Sequence, residues 1–162
     1  MESQTDMLAL VFRLGGRIRR EFAGLMTNEQ WAIDAKLRPG CFGVLRQVKA
    51  AGHLSQRAIA ERMGVGASDM VALVDRLQAA GYVRREQDPS DRRRNVVVLT
   101  PEGQRALRRL EQVAAVAEER VLAPLAPDDR VAFGRLLALV VAGDRPPDTL
   151  GTNHSGAWHQ NG

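Results

Sequence analysis

Apolar residues in the first part of the chain recur at alternating steps of three and four: Met7, Val11, Leu14, Ile18, Phe22 and Leu25, with Arg13, Arg17, Arg19, Arg20 and Glu21 between them. That spacing keeps one face of a helix apolar, so a long amphipathic helix is predicted. Gly15 and Gly16 lie inside it, each costing about 1 kcal/mol relative to alanine. They mark either a close helix contact, the preferred reading, or a weak middle. From residue 27 to 38 the periodicity lapses, and residues 28–36 read as a loop or as one short helix carrying Trp31 and Ile33. Pro39 suits the first turn of a further helix, Phe42, Leu45 and Val48 supply its buried face, and Gly52 ends it.

The stretch 56–77 has the pattern of two short helices joined by a tight turn. Ser55 is a plausible N-cap for a helix over 56–63. Ala60 is small where two helices must cross, Gly64 can take the positive φ of the turn, and Val65 and Met70 can fill the angle between the helices. In the second helix Met70, Leu73, Val74 and Leu77 repeat at i, i+3, i+4 and i+7, leaving Ala67, Ser68, Val71, Ala72 and Asp75 on the outer face. The helix ends at Ala80, with Gly81 as a left-handed C-cap. An outer face of this kind is where a helix-turn-helix reads DNA.

Beyond Gly81 the period changes to two. Residues 82–87 and 95–99 are β-rich, Val96, Val97, Val98 and Leu99 most of all. Between them Asp88, Pro89, Ser90 and Asp91 form a turn, followed by Arg92, Arg93 and Arg94. Taken alone the charge run reads as a solvated loop. Beside a helix-turn-helix it reads as a basic hairpin tip able to enter the minor groove while the helix occupies the major one. Leu54 allows a one-residue strand contact nearby, and His53 beside it reads as a packed or exposed polar residue.

Thr100 can cap the next helix, with Pro101 at its first position and Glu102 facing the positive end of the dipole. Leu107, Leu110, Ala114, Ala117 and Val121 keep a spacing close to a coiled-coil seam, and Pro124 stops it. Pro127, Asp128 and Asp129 open a last helix, with Val131, Phe133, Leu136, Leu137 and Val140 apolar, running to about Ala142. The terminal helices offer more apolar surface than one chain needs, which suggests a dimer interface, with a monomeric helical core as the alternative. Residues 143–162 lack periodicity and read as a flexible tail in which His154 and His159, beside Trp158, are a disordered end rather than a metal site.

Composition adds limits. The chain has 162 residues, 44% hydrophobic and 26% charged, which fits one soluble domain. The net charge of +4 is small enough to be common among proteins with no nucleic-acid partner. Nearly all of the positive charge is arginine, suited to phosphates and guanine edges, although a GC-rich genome yields the same bias. The single cysteine, Cys41, excludes an internal disulfide, and three scattered histidines give no zinc spacing, so neither metal nor cofactor is expected. No apolar run approaches membrane-spanning length and no secretory signal is present, so the expected location is cytoplasmic. An enzyme is not expected: paired carboxylates, a nucleophile-base motif and a phosphate loop are missing, and Gly64-x-Gly66 lies between two helices rather than after a strand.

Several motifs in one order carry a family resemblance. They are Leu54-Ser55-Gln56-Arg57-Ala58-Ile59-Ala60-Glu61-Arg62-Met63-Gly64, Val74-Asp75-Arg76-Leu77, Gly81-Tyr82-Val83-Arg84-Arg85, Asp88-Pro89-Ser90-Asp91-Arg92-Arg93 and Leu99-Thr100-Pro101-Glu102-Gly103. Over roughly residues 5–142 the chain resembles the MarR family of bacterial transcriptional regulators. The resemblance implies a mainly α fold with a small β-hairpin wing: one domain over 1–142, with a winged helix-turn-helix at about 39–100 and dimerisation helices at about 5–25 and 101–142. It further implies a homodimer, a repressor by the family's habit, that binds successive major grooves of a pseudo-palindromic operator in double-stranded DNA. The family's Asp-x-Arg wing signature falls on Asp91 and Arg93. Arg93 would be the minor-groove finger, Asp91 would orient the wing, and Arg92 and Arg94 would reach phosphates. Gln56, Arg57 and Arg76 are placed for the DNA backbone.

The recognition surface departs from the family pattern of several hydroxyl and basic residues. Only Ser68 is an obvious base-edge donor. Val71 and Ala72 can contact thymine methyls, and Asp69 either accepts from a cytosine amino group or stabilises the helix N-terminus, the second being preferred. Specificity would then rest on groove shape and the wing more than on many direct hydrogen bonds.

The family usually senses a small aromatic or anionic effector between the dimerisation helices and the winged helix. Phe12, Arg13, Arg17, Trp31, Phe42 and Leu45 come from the matching segments. Some relatives sense peroxide through a first-helix cysteine, a position without cysteine here. Cys41, at the start of a helix, is an alternative redox sensor. A winged helix used only for protein interaction is a further alternative, against which the Arg92, Arg93, Arg94 run argues.

Overall fold

The computed structural model describes residues 6–142, so the readings made of the tail, His154, Trp158 and His159 included, lie outside the described residues. The elements follow in the order α1 (Met7–Met26), α2 (Gln30–Asp34), α3 (Pro39–Ala51), β1 (His53–Leu54), α4 (Gln56–Met63), α5 (Ala67–Ala79), β2 (Val83–Gln87), β3 (Asn95–Leu99), α6 (Pro101–Leu122) and α7 (Pro127–Ala142). The chain divides into two compact units, with the boundary between Ala123 and Pro124.

Caps set where the helices begin. Asp6 accepts the Ala9 N–H at 3.2 Å, Ser55 the Ala58 N–H at 3.2 Å and Thr100 the Gly103 N–H at 2.9 Å, each supplying a partner to an orphan amide of a first turn. Left-handed residues set where others end. Gly64 (φ 63) and Gly81 (φ 75) close α4 and α5, with Val65 N–H donating to the Ala60 carbonyl and Tyr82 N–H to the Leu77 carbonyl. The same closure follows α2 on Lys36, a non-glycine at φ 51, where Leu37 N–H reaches the Ala32 carbonyl at 2.9 Å. The uncertain stretch after the first helix therefore contains the short helix, not only a loop.

The strands form one antiparallel sheet in the order β1-β3-β2. Val83 pairs with Leu99 and Gln87 with Asn95, and β1 adds two residues, His53 opposite Val98 and Leu54 opposite Val97. The core of the first unit gathers Phe22 and Met26 of α1, Cys41, Val44, Leu45 and Val48 of α3, Ile59 of α4, Met70, Val74 and Leu77 of α5, and Leu107 and Leu110 of α6. Each fully buried aliphatic side chain contributes about 1.5–3 kcal/mol, so these residues fix the placement of α4 and α5.

One sequence expectation fails within the first unit. Gly15 has no heavy atom within 4 Å of where a β-carbon would sit, and Gly16 meets only Arg20 of its own helix, so neither serves a close helix contact within the chain. The apolar stripe of α1 is buried in the chain only in part, at Phe22 and Met26, and leaves Met7, Leu8, Val11 and Phe12 exposed, the surplus that the sequence leads one to expect. Helix α7, taken by itself, buries none of its residues, and Val131, Leu136, Leu137, Leu139, Val140 and Val141 stay exposed.

Candidate nucleic-acid interface

Helix α5 turns Met70, Val74 and Leu77 into the core and leaves Ala67, Ser68, Asp69, Val71, Ala72 and Asp75 exposed. The exposed face thus carries no cation. Among the described residues no hydrogen bond engages the Ser68 hydroxyl, and Asp69 sits in the first turn, where a carboxylate opposes the positive end of the dipole. Between α4 and α5 lies an open, largely apolar cleft of about 480 Å³ bordered by Ala60, Val65, Ala67, Met70 and Val71, with Gln56, Arg57 and Glu61 at its rim.

The hairpin tip is closed by its own backbone and by two carboxylates. Asp88 N–H donates to the Arg94 carbonyl and Arg94 N–H to the Asp91 carbonyl, both at 2.9 Å. The Asp91 side chain accepts the Arg93 N–H at 3.0 Å, and its other oxygen lies 3.7 Å from Arg94 Nε. Asp91 therefore braces the turn that presents Arg93. The Ser90 hydroxyl and then the Ser90 N–H donate to Asp88, at 2.6 and 2.8 Å, and hold that carboxyl below the usual range. Arg92, Arg93 and Arg94 are all exposed. Arg94 and Asn95 share an open hollow with Ser55, Arg57 and Ala58. The wing base and the start of α4 thus bring two arginines to one surface, and Asn95 joins them without any sequence signal.

The wing stands on the start of α6. Thr100 N–H donates to the Tyr82 carbonyl at 3.1 Å and its hydroxyl to the Gly81 carbonyl at 2.7 Å. A β-carbon on Gly103 would overlap the Tyr82 carbonyl oxygen and lie 2.8 Å from its carbon, so only glycine allows this approach.

One of the expected DNA contacts is committed elsewhere, and a second is engaged through its acceptor oxygen alone. Arg76 turns away from the exposed face of α5 and donates to the Lys36 carbonyl at 2.7 Å, while its Nε is buried without a partner. It ties α5 to the turn after α2 and does not reach outward. Gln56 accepts from Arg85 Nε at 2.8 Å. Arg85, on β2, also donates to Gln78 and Asp75 of α5, each at 2.6 Å, so one guanidinium joins wing, α4 and α5. Nothing local in the sequence singles Arg85 out, because its partners stand 7, 10 and 29 residues away. Arg57 is paired with Glu61 at 2.8 Å yet its side chain is 90% exposed, as a phosphate contact requires.

The six effector candidates are dispersed. Leu45 is fully buried in the core, Phe42 packs on Phe22 at 5.2 Å, and Phe12 and Arg13 are exposed. Arg17 donates to the Arg120 carbonyl at 3.3 Å, and Trp31 lies under Arg109 at 4.2 Å while its Nε1 donates to Glu29 at 2.7 Å. The sequence grouping is corrected accordingly: Leu45 fills the core and Phe42 packs at its edge, while Trp31 sits next to a different hollow. That hollow, of about 210 Å³, is lined by Leu25, Asn28, Glu29, Arg109, Gln112, Val113 and Val116. Cys41 is fully buried, and burial pushes its thiol above the ordinary value against the smaller lowering by a backbone hydrogen bond from Arg38 and by Arg76. A thiol enclosed in the core is not open to peroxide, which argues against Cys41 as a redox sensor.

Comparison with known proteins agrees with this geometry. Residues 36–94 match the model of the MarR family. A transcriptional regulatory protein assigned to the hcr operon of Thauera aromatica is 33% identical over 121 residues, 75% of this chain and 68% of that one. The HTH-type transcriptional regulator YfiV of Bacillus subtilis is 35% identical over 119 residues, 73% of each chain. A MarR family protein of Mycobacterium tuberculosis, Rv2887, solved in complex with DNA, superposes with a TM-score of 0.68 at 25% identity, over 84% of this chain and 98% of that one. The winged helix-turn-helix, the glycine-footed wing and these relatives together establish that the chain belongs to the MarR family of transcriptional regulators.

Proposed function

We propose that two copies of this chain bind double-stranded DNA at a pseudo-palindromic operator and repress transcription until a small anionic or aromatic effector lowers their affinity. The observation that carries the reading is the pairing of an exposed helix face without cations on α5 with an exposed arginine tip on the adjoining wing. A helix with small exposed side chains can lie close in the major groove while an arginine enters the neighbouring minor groove. Arg57, Arg92 and Arg94 serve phosphates, and Arg93, braced by Asp91, enters the minor groove.

Dimerisation is supported by the exposed Met7, Leu8, Val11 and Phe12 of α1 and by the exposed apolar residues of α7. Apolar surface of that extent in water marks an interface. The effector is supported by the hollow lined by Arg109, Glu29 and the apolar Leu25, Val113 and Val116, where apolar walls beside a few polar groups suit a small molecule. Gel shift with the DNA upstream of its own gene, together with light scattering, tests the reading. The expected result is a dimer whose binding weakens steeply with salt, with a slope of log K on log salt of about −5 for some six neutralised phosphates. A monomer, or a protein indifferent to every duplex, would contradict it.

A further inference from the structure

Internal bonding removes most polar groups from the reading face. Asp75 and Gln78 are held by Arg85, Gln56 by the same guanidinium, and Arg76 by the Lys36 carbonyl. Arg57 pairs with Glu61 at the cleft rim, yet its side chain stays 90% exposed. What faces outward at the centre is Val71, 46% exposed, with Ala67, Ala72 and the hydroxyl of Ser68 around it and the apolar cleft alongside. Arg57 and the wing arginines border this apolar surface, so its occupant must be polyanionic at the edges and apolar at the middle.

In the major groove one base feature fits that demand, the C5 methyl of thymine. Cytosine, guanine and adenine present no methyl group there, so each would leave the Val71 side chain without an apolar contact. We infer that Val71 is a specificity-determining residue that selects thymine by its C5 methyl group in each half-site. This rests on the DNA-binding reading above and specifies its chemistry.

The test starts with selection by the full-length protein from a random duplex library of about 30 base pairs, a length that spans the two successive grooves of a dimer site. The recovered duplex is then remade with uracil replacing thymine one position at a time, which deletes only the methyl. Binding of the wild type should weaken about fourfold at one thymine in each half-site, the value of one buried methyl group. Val71→Ala, an exposed substitution that leaves the core intact, should bind the thymine and uracil duplexes alike. Full affinity of the wild type for every uracil duplex would overturn the inference. So would an equal loss in Val71→Ala, which would assign the methyl effect to duplex shape. Recovery of no duplex at all would overturn the DNA-binding reading, and this inference with it.

Discussion

Helix α5 and the tip of the wing, whose strand β2 is tied to α5 by Arg85, are built from opposite chemistry. The exposed face of α5 is alanine, serine and valine with two carboxylates, one of them neutralised internally; the tip is three consecutive exposed arginines around a braced turn. A charged tip attracts any phosphate backbone and supplies affinity with little regard to sequence. A small, apolar helix face adds little affinity but discriminates by shape and by methyl contact. Under the proposed function the difference would place most of the affinity on the tip and methyl readout on α5, with the clamp between wing and helix setting their relative position.

Breaking the shared footing should have the largest effect. Gly103→Ala sets a side chain against the Tyr82 backbone, which has no flexible end to give way, and should destabilise the fold by about 2–3 kcal/mol in a thermal or denaturant melt. Gly24→Ala, where nothing lies within 4 Å, is the control and should be neutral or mildly stabilising. Arg93→Ala should weaken operator binding at least tenfold in titration while leaving the melting temperature unchanged, since the tip carries no core. Arg85→Ala should have a smaller effect, about threefold to tenfold on affinity. It frees the Asp75 carboxylate towards the duplex and loosens the wing, and lysine, with a single ammonium, should restore little of the three-way bond. Unaltered binding in Arg85→Ala would remove the clamp from the comparison.

The parts readable in the sequence are those governed by neighbours in the chain. Gly64 and Gly81 announce left-handed caps because that backbone conformation favours glycine, and both take it. Ser55 and Thr100 announce caps for the same local reason, and both accept the expected amide. The Met70, Val74 and Leu77 repeat assigns the buried face of α5 correctly because helical periodicity is itself local. Errors gather where a long side chain chooses a distant partner. Arg76 at the end of α5 could point out or in, and the Lys36 carbonyl that draws it inward lies 40 residues earlier, in a left-handed turn that a lysine does not advertise. Gln56 is captured from 29 residues away. Leu45 illustrates a different limit: an apolar residue suits a ligand cleft and a core equally, and only packing distinguishes them.

The separation of roles is tested most directly by the salt dependence of operator binding for the wild type, for Val71→Ala and for a variant with Arg92, Arg93 and Arg94 all changed to alanine. The arginine variant should show a slope shallower by roughly 3 to 4, because each of two copies then neutralises about two fewer phosphates, while Val71→Ala keeps the wild-type slope and changes only which duplex is preferred. An arginine variant with the full slope, or a Val71→Ala protein whose slope falls, would contradict the account.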